Sequence, residues 1–299
     1  MEMNRNDLSH LLDSEIKEVR KIEKGFSEDI KYFVQTSNGT YLIKQSNIEY
    51  KERKLQEFVA HTSAFEKQVK TNTPVSFQEI NDSCFSIFTY EKGNDASQIL
   101  PKLSKRDQYA IGWDAGKELL KIHNVIQDKI QVNWYDYKKI KHEKYWKLYK
   151  ESTYKIHGDS EIQQFIQENY HLMTNRPITL LHDDYHVNNM ICDNNMLAAV
   201  IDFGRFDWGD PIHDFYKTGM FSREISIPFC VGLVDGYFNE SIPDEFWKLY
   251  NLYTAMIIFP SVVWTPHLID DMLVRIETII HDHDYFKLSI PSWYSNFLL

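Results

Sequence analysis

Hydrophobic and polar positions change their period part-way along the chain. Between residues 30 and 90 the apolar runs are short and strand-like. IKYFVQ at 30–35 and TYLIKQ at 40–45 flank Thr36-Ser37-Asn38-Gly39. An Asn-Gly step between two such runs predicts a β-hairpin. Residues 74–77 and 85–90 predict two further strands. Between the two pairs, residues 50–65 carry Leu55, Phe58, Val59 and Ala60 with helical spacing. Beyond residue 100 long helical patterns take over. Residues 105–126 set Ile111, Ala115, Leu119 and Ile122 close to one stripe. Residues 160–173 and 211–220 predict shorter helices. Segments 227–238, 244–259 and 268–282 follow, punctuated by Pro228, Pro243, Pro260 and Pro266. The change of regime falls near residues 91–97, where Gly93-Asn94-Asp95 interrupts the pattern.

One stretch carries more than packing information. An apolar run at 178–181 leads into His182-x-Asp184, with Asn189 five residues on. Short apolar runs at 190–192 and 197–201 flank Asp193-Asn194-Asn195, a strong turn signal. The second run ends in Ile201-Asp202-Phe203-Gly204. H-x-D-x-x-x-x-N followed closely by D-F-G is the signature of kinase-type phosphoryl transfer. That chemistry requires charge neutralisation on a triphosphate and placement of a hydroxyl. Mg²⁺ is a hard ion that takes oxygen ligands, which suits Asn189 and Asp202. Asp184 is suited to orient the attacking hydroxyl and accept its proton. His182 is better suited to hold the loop by hydrogen bonds. Either motif alone is weak. The two in this order, separated by a hairpin, are much stronger.

At these residues the chain resembles the aminoglycoside phosphotransferase family, small-molecule kinases with a protein-kinase-like fold. Members commonly carry HGDxHxxN followed by IDFxxxxxGDP. Here the first stands as His182-Asp183-Asp184-Tyr185-His186-Val187-Asn188-Asn189 and the second runs from Ile201 to Pro211. The resemblance implies an α+β, two-lobed fold. Residues 1–92 would form a small antiparallel-sheet lobe covering the nucleotide. Residues 93–299 would form a larger, mostly helical lobe with the catalytic loop, metal site and acceptor pocket. It also implies structural salt bridges for Arg205, Asp210 and Asp214, and a packing role for His123. Asp183 stands where the family usually has glycine. Its carboxylate could raise its neighbour's pKa or meet a cationic acceptor; the plainer expectation is that it points to solvent.

A kinase-like chain needs a strand lysine for the α and β phosphates, and Lys44 in Tyr-Leu-Ile-Lys fits. Ser27, in the glycine-poor segment 25–29, would add a donor over the phosphates. A helical glutamate should pair with the lysine; Glu52 is the first choice and Glu57 the second, and spacing does not separate them. Residues 89–93 resemble the segment linking the lobes, with Glu91 as its nucleotide contact. The expected cofactors are ATP, with GTP the alternative, and Mg²⁺. The expected reaction is transfer of the γ-phosphoryl group to a hydroxyl of an aminoglycoside-like acceptor. A kinase of another metabolite (a sugar, an amino alcohol or a macrolide) would use the same residues. A protein kinase fits less well, because no Ala-Pro-Glu follows Asp202. A non-catalytic nucleotide-binding scaffold would not need the full set of lysine, base and metal positions.

Composition narrows the partners. A net charge of −10 argues against nucleic acid. Residues 201–299 hold 14 acidic and 6 basic side chains. A polycationic acceptor would suit that excess; the plainer expectation is solvated helix faces. Residues 137–150 (YKKIKHEKYWKLYK) carry six lysines against the trend. They read as a solvated helix face packed through Ile140, Trp146 and Tyr149. The polar start MEMNRNDLSH suggests no amino-terminal signal, and no apolar run approaches the roughly 20 residues of a membrane span. Cys84, Cys192 and Cys230 show no metal spacing and no even-numbered set. A reducing, cytoplasmic setting is the default for such a chain. Nothing in the pattern specifies an oligomeric state.

Overall fold

The computed structural model describes residues 5–23, 29–127, 132–265 and 268–297. Five antiparallel strands form the first layer: β1 (Ile16–Ile22), β2 (Ile30–Thr36), β3 (Thr40–Asn47), β4 (Pro74–Ile80) and β5 (Ser83–Thr89), ordered β1-β2-β3-β5-β4. Ahead of them lies α1 (Arg5–Leu12), whose Leu8 and Leu11 pack with Tyr32, Val34, Ile43, Phe85 and Ile87 in a small core. Successive strand residues face opposite ways. Ile43 therefore points into this core, while Lys44 points to the other face. There α2 (Lys51–Glu66) crosses β3, β4 and β5. Neither α1 nor β1 was expected. β1 (IKEVRKI) is an edge strand with no fully buried position, and its charged side chains hide the apolar alternation that marks inner strands.

The chain then passes through Gly93 into β6 (Asn94–Asp95), which pairs with β8 (Met190–Asp193), itself paired with β9 (Met196–Val200). Gly93 has φ +139°, and a Cβ there would lie 2.5 Å from Cys192 O, so only glycine fits. The β8–β9 turn places Asn194 and Asn195 at positive φ, as a two-residue hairpin turn requires. A second short pair joins β7 (Thr179–Leu181) to β10 (Asp207–Gly209). These two small sheets hold the loops that carry the polar motifs.

Helices enclose them: α3 (Ala96–Ile99), α4 (Lys105–His123), α5 (Trp134–Glu151), α6 (Asp159–Asn169), α7 (Ile227–Phe238), α8 (Asp244–Trp264), α9 (Ile269–Asp282) and α10 (Ser292–Ser295). The main core lies among α4, α7, α8 and the small sheets. α4 and α7 meet backbone to backbone through Gly112 and Gly116 on one and Gly232 and Gly236 on the other. The arrangement is α+β, with the sheet ending at Thr89 and the helical part following.

Three expectations need correction. Residues 211–220 form a 3₁₀ turn (Pro211–Phe215) and then a π turn (Thr218–Ser222) rather than one helix. Asp210 turns its carboxylate back onto Ile212 N, a local alternative to the helical ladder, while Asp214 turns its own away to the amides of His182 and Asp183. Pro260 does not end α8, because its surroundings bury the helix nearly throughout and tertiary packing overrides the break. In α5 Ile140 is 67% exposed while Lys138 of the same run is buried, so the solvated-face reading holds only in part. No helix among the described residues is long and apolar enough to cross a membrane.

The α4–α7 crossing yields a stability prediction. A Cβ at Gly116 would sit 2.2 Å from Leu233 O, and one at Gly236 2.2 Å from Trp113 O. Gly116→Ala and Gly236→Ala should each lower unfolding free energy by about 1–3 kcal/mol through overpacking. Gly39→Ala, whose Cβ would meet only the tip of Tyr41 at 3.3 Å, should cost less than either. Urea unfolding of the three variants checks the ranking.

Candidate active site

The catalytic loop runs between β7 and β8, and one carboxylate holds its shape. Asp214 is fully buried and accepts from His182 N (2.9 Å) and Asp183 N (2.7 Å), with His123 Nε2 at 3.1 Å. Charge-assisted bonds to two consecutive amides fix the loop entry. His123, at the end of α4, anchors the anchor. His182 reaches Ile201 O through Nε2 at 3.1 Å and packs on Phe203. It thus ties this loop to the D-F-G turn. Asp210 is held by Arg176 (2.7 Å) and Tyr253 (2.6 Å). Arg205 makes no ion pair among the described residues.

Asp183 has φ +53°, the left-handed region that glycine enters freely and aspartate tolerates. That is why a glycine position can hold aspartate. Its side chain does not point to solvent. It lies 3.1 Å from His213 Nδ1, and His213 in turn contacts buried Lys138 on α5. Burial opposes the Asp183 charge, but His213, Lys138 and Lys217 hold its pKa down to about 2.

Two clusters flank the joint between the loops. The first centres on Lys44 of β3, buried and 3.1 Å from both Glu57 Oε1 on α2 and Asp202 Oδ1. Burial works against its ammonium, and the two carboxylates outweigh it, so Lys44 stays charged. The pairing glutamate is Glu57, not Glu52, which is exposed on the outer face of α2. The helix phase decides this: one face of α2 looks onto the sheet, and Glu57 lies on it. Lys54 donates to Glu57 Oε2 (3.2 Å) and to Asp29 (2.6 Å), and Ser46 also donates to Asp29 (2.6 Å). Lys31 of β2 lies 3.5 Å from Asp202 Oδ2. Lys44 first, and then Lys31 against the opposing effect of burial, hold Asp202 well below the usual carboxylate range. Asp202 itself has φ +68°, a strained backbone of the kind found at functional sites.

The second cluster centres on Asp184. Asn189 Nδ2 donates to Asp184 Oδ2 (3.0 Å) and to its carbonyl (2.9 Å). Lys217 Nζ donates to Asp184 Oδ1 at 2.8 Å, with His186 Nε2 at 3.3 Å. Burial pushes this carboxyl up, but His186 and Lys217 reverse the effect and keep it well below its ordinary value. Ile201 N donates to Asn189 O (2.9 Å), so the two clusters sit side by side. The amide nitrogen of Asn189 is committed to Asp184, which leaves its carbonyl oxygen for a cation. Asp202 keeps 36% of its side chain exposed. Two hard oxygen donors suit Mg²⁺, which keeps several waters and binds substrate phosphates. No group of three or more His, Cys, Asp or Glu side chains gathers as a metal cluster among the described residues.

The remaining expected positions are less informative. Glu91 is half-buried in the link between sheet and helices and accepts from Thr89 Oγ1 at 3.3 Å. Ser27, with residues 24–28, lies outside the described residues.

A family model described as the phosphotransferase enzyme family matches residues 18–247. The chain belongs to that family. It is a kinase-type phosphotransferase acting on hydroxyl groups. No match was found among curated proteins. Among solved structures this phosphotransferase is similar to ADP-bound aminoglycoside phosphotransferase APH(2'')-Ib, at 20% identity and TM-score 0.62, over 92% of this chain and 98% of that one. It is similar to APH(2'')-IIa in complex with gentamicin, at 20% identity and TM-score 0.64, over 95% and 98%. A third is a thermostable mutant of APH(4)-Ia with ADP and hygromycin B, at 15% identity and TM-score 0.66, over 92% and 97%. At these identities the likeness is one of fold, the two-lobed protein-kinase-like arrangement.

Sequence reasoning assigned no role to Lys31, Lys54, Lys138, His186, His213 or Lys217. A signal existed for Lys31. The Asn-Gly hairpin sets it directly across from Lys44. Like charges opposite each other destabilise a sheet unless anions sit between them. The others depend on which turns approach the catalytic loop, which no local pattern encodes.

Two predictions follow from the buried charges. Glu57→Gln should cost about 3 kcal/mol by uncovering buried Lys44, whereas Glu52→Gln should stay within about 0.5 kcal/mol; chemical denaturation compares them. Burial, with Lys141 nearby, pushes the Lys138 ammonium from its ordinary 10.5 down to about 7. Between those values the unfolded chain binds the extra proton, so Lys138 makes stability rise with pH across that window. Lys138→Met should flatten the rise in urea midpoints from pH 7 to pH 10.

Proposed function

We propose that this chain is an ATP-dependent small-molecule kinase that moves the γ-phosphoryl group to a hydroxyl of an aminoglycoside-like acceptor, assisted by Mg²⁺. The observation that carries this reading is the convergence of Lys44, Glu57 and Asp202 beside the Asp184–Asn189 pair, from segments up to 158 residues apart in sequence. ADP and aminoglycosides in the similar solved structures support it further. The nucleotide would lie between a lobe of residues 1–92 and a lobe of residues 93–299. Lys44, oriented by Glu57, would hold the α and β phosphates. Asn189 and Asp202 would hold Mg²⁺, which when bound supplies charge neutralisation on the phosphates. Asp184 would orient the acceptor hydroxyl and take its proton late in transfer. Three free, buried cysteines support a reducing, cytoplasmic setting.

A second reading concerns the acceptor. Many acids of residues 201–299 already hold structural partners. Asp210 pairs with Arg176, Glu224 with Arg275, and Asp282 with Arg223; Asp235 accepts from Tyr109 and Tyr294. A cation, Lys217, stands at the catalytic carboxylate itself. That favours a neutral or anionic hydroxylated metabolite over a polycation.

ATP consumption with Mg²⁺ across aminoglycosides, macrolides, sugars and amino alcohols tests both readings. At least one acceptor should support turnover, and Asp184→Ala should slow it about 10²–10⁴-fold while ADP still binds. Absence of turnover with every acceptor, or an unaffected Asp184→Ala variant, would count against the kinase.

A further inference from the structure

Lys217 is a buried cation on the catalytic carboxylate that nothing in the kinase signature requires. It caps the π turn Thr218–Ser222, and π turns gather at functional sites. Its Nζ lies 2.8 Å from Asp184 Oδ1 and 5.2 Å from the ring centres of both Tyr216 and Phe221. Only 8% of the residue is exposed. The rings and the carboxylate hold a long side chain in one place, so its conformational entropy is already lost.

A role confined to holding Asp184 explains this poorly. Asn189 fixes Asp184 Oδ2 and its carbonyl, and His186 lies at 3.3 Å from Oδ1. A cation on Oδ1 also makes the carboxylate a weaker base. That arrangement suits a reaction in which the proton moves late and the harder problem is charge on the moving group. A hydroxyl held ~2.7 Å from Asp184 attacks phosphorus from ~3–3.5 Å. Nζ, 2.8 Å from Oδ1, would then stand on the side from which the phosphoryl group is attacked.

Resting on the kinase reading above, we infer that Lys217 is a further catalytic residue, its ammonium contacting the transferring phosphoryl group from the acceptor side. The acceptor oxygen bonds to the γ phosphorus as the bond from phosphorus to the β–γ bridging oxygen breaks. The electron pair leaves on the nucleoside diphosphate, and the hydroxyl proton goes to Asp184. Lys217 keeps its own protons and moves from Asp184 Oδ1 onto the phosphoryl oxygens as negative charge spreads there.

The test uses the full chain with ADP, Mg²⁺ and aluminium fluoride, which mimics the planar phosphoryl group without any acceptor. In wild type, fluoride should tighten ADP binding. Lys217→Met and Lys217→Gln should bind ADP alone as wild type does and lose most of the tightening. With an accepted substrate, each should lower kcat about 100-fold or more with KM for ATP little changed, and Lys217→Arg should restore part of it. The glutamine variant keeps a donor to Asp184, so it covers the case in which the methionine variant fails to fold. Equal fluoride tightening in wild type and Lys217→Gln, or kcat within threefold of wild type, would overturn the assignment. Failure of wild type to bind ADP with Mg²⁺ would instead overturn the kinase reading beneath it.

Discussion

One shared ammonium holds the site together. Lys44 is buried between a carboxylate from α2 and a carboxylate from the D-F-G turn, each at 3.1 Å. Three parts of the chain, β3, α2 and the turn after β9, must therefore arrive together. Removing any one of the charges leaves its partners with less compensation in a poorly solvated place, which is more costly than losing an exposed pair. The outer ring of Lys54, Asp29 and Ser46 extends the same logic to the start of β2. Charge matching and apolar contact, such as His61 on Phe203, together join the sheet part to the loops that carry Asp202.

Asp214 plays the corresponding part within the helical region. It has no contact with solvent, yet it sets the direction of two loop amides and receives His123 from the end of α4. The catalytic loop is thus referenced to a helix that is itself locked against α7 by close glycine contacts. Asp184 is positioned both by this chain of fixed backbones and by Asn189 and His186 of its own loop.

Much of this was legible in the sequence where local chemistry is self-sufficient. The Asn-Gly turn gave the β2–β3 hairpin, and the Asp193-Asn194-Asn195 signal gave β8–β9. Paired motifs gave Asp184, Asn189 and Asp202. Legibility failed where the answer depends on phase or on distant partners. Glu52 and Glu57 lie on one helix, and only the side of α2 that meets the sheet separates them. Asp183 looked like a solvent-facing substitution for glycine because its partner, His213, arrives from a turn that reads as an ordinary helix. Lys138 sits in a run whose composition suggests a uniformly wet face, and a single buried lysine is invisible in that average. An acidic tail of 14 against 6 suggested a lining for cations, but many of those acids hold arginines and tyrosines within the fold.

The link between sheet and helices is short and partly stitched down. β5 ends at Thr89, while Asn94 and Asp95 already pair with Cys192 and Ile191 on the far side. Only residues 90–93 lie between these paired positions. Tyr90 N is bonded to Thr40 O, and the Tyr90 ring packs on Phe33. The covalent link therefore leaves few free bonds, and those lie beside Gly93. It is not the sole tie: Val200 N donates to Lys70 O at 2.8 Å, Arg53 reaches Phe206 O at 2.9 Å, and Lys44 reaches Asp202. Sheet and helices are thus joined by backbone, guanidinium and ammonium contacts at once, and the short link is one seam among several.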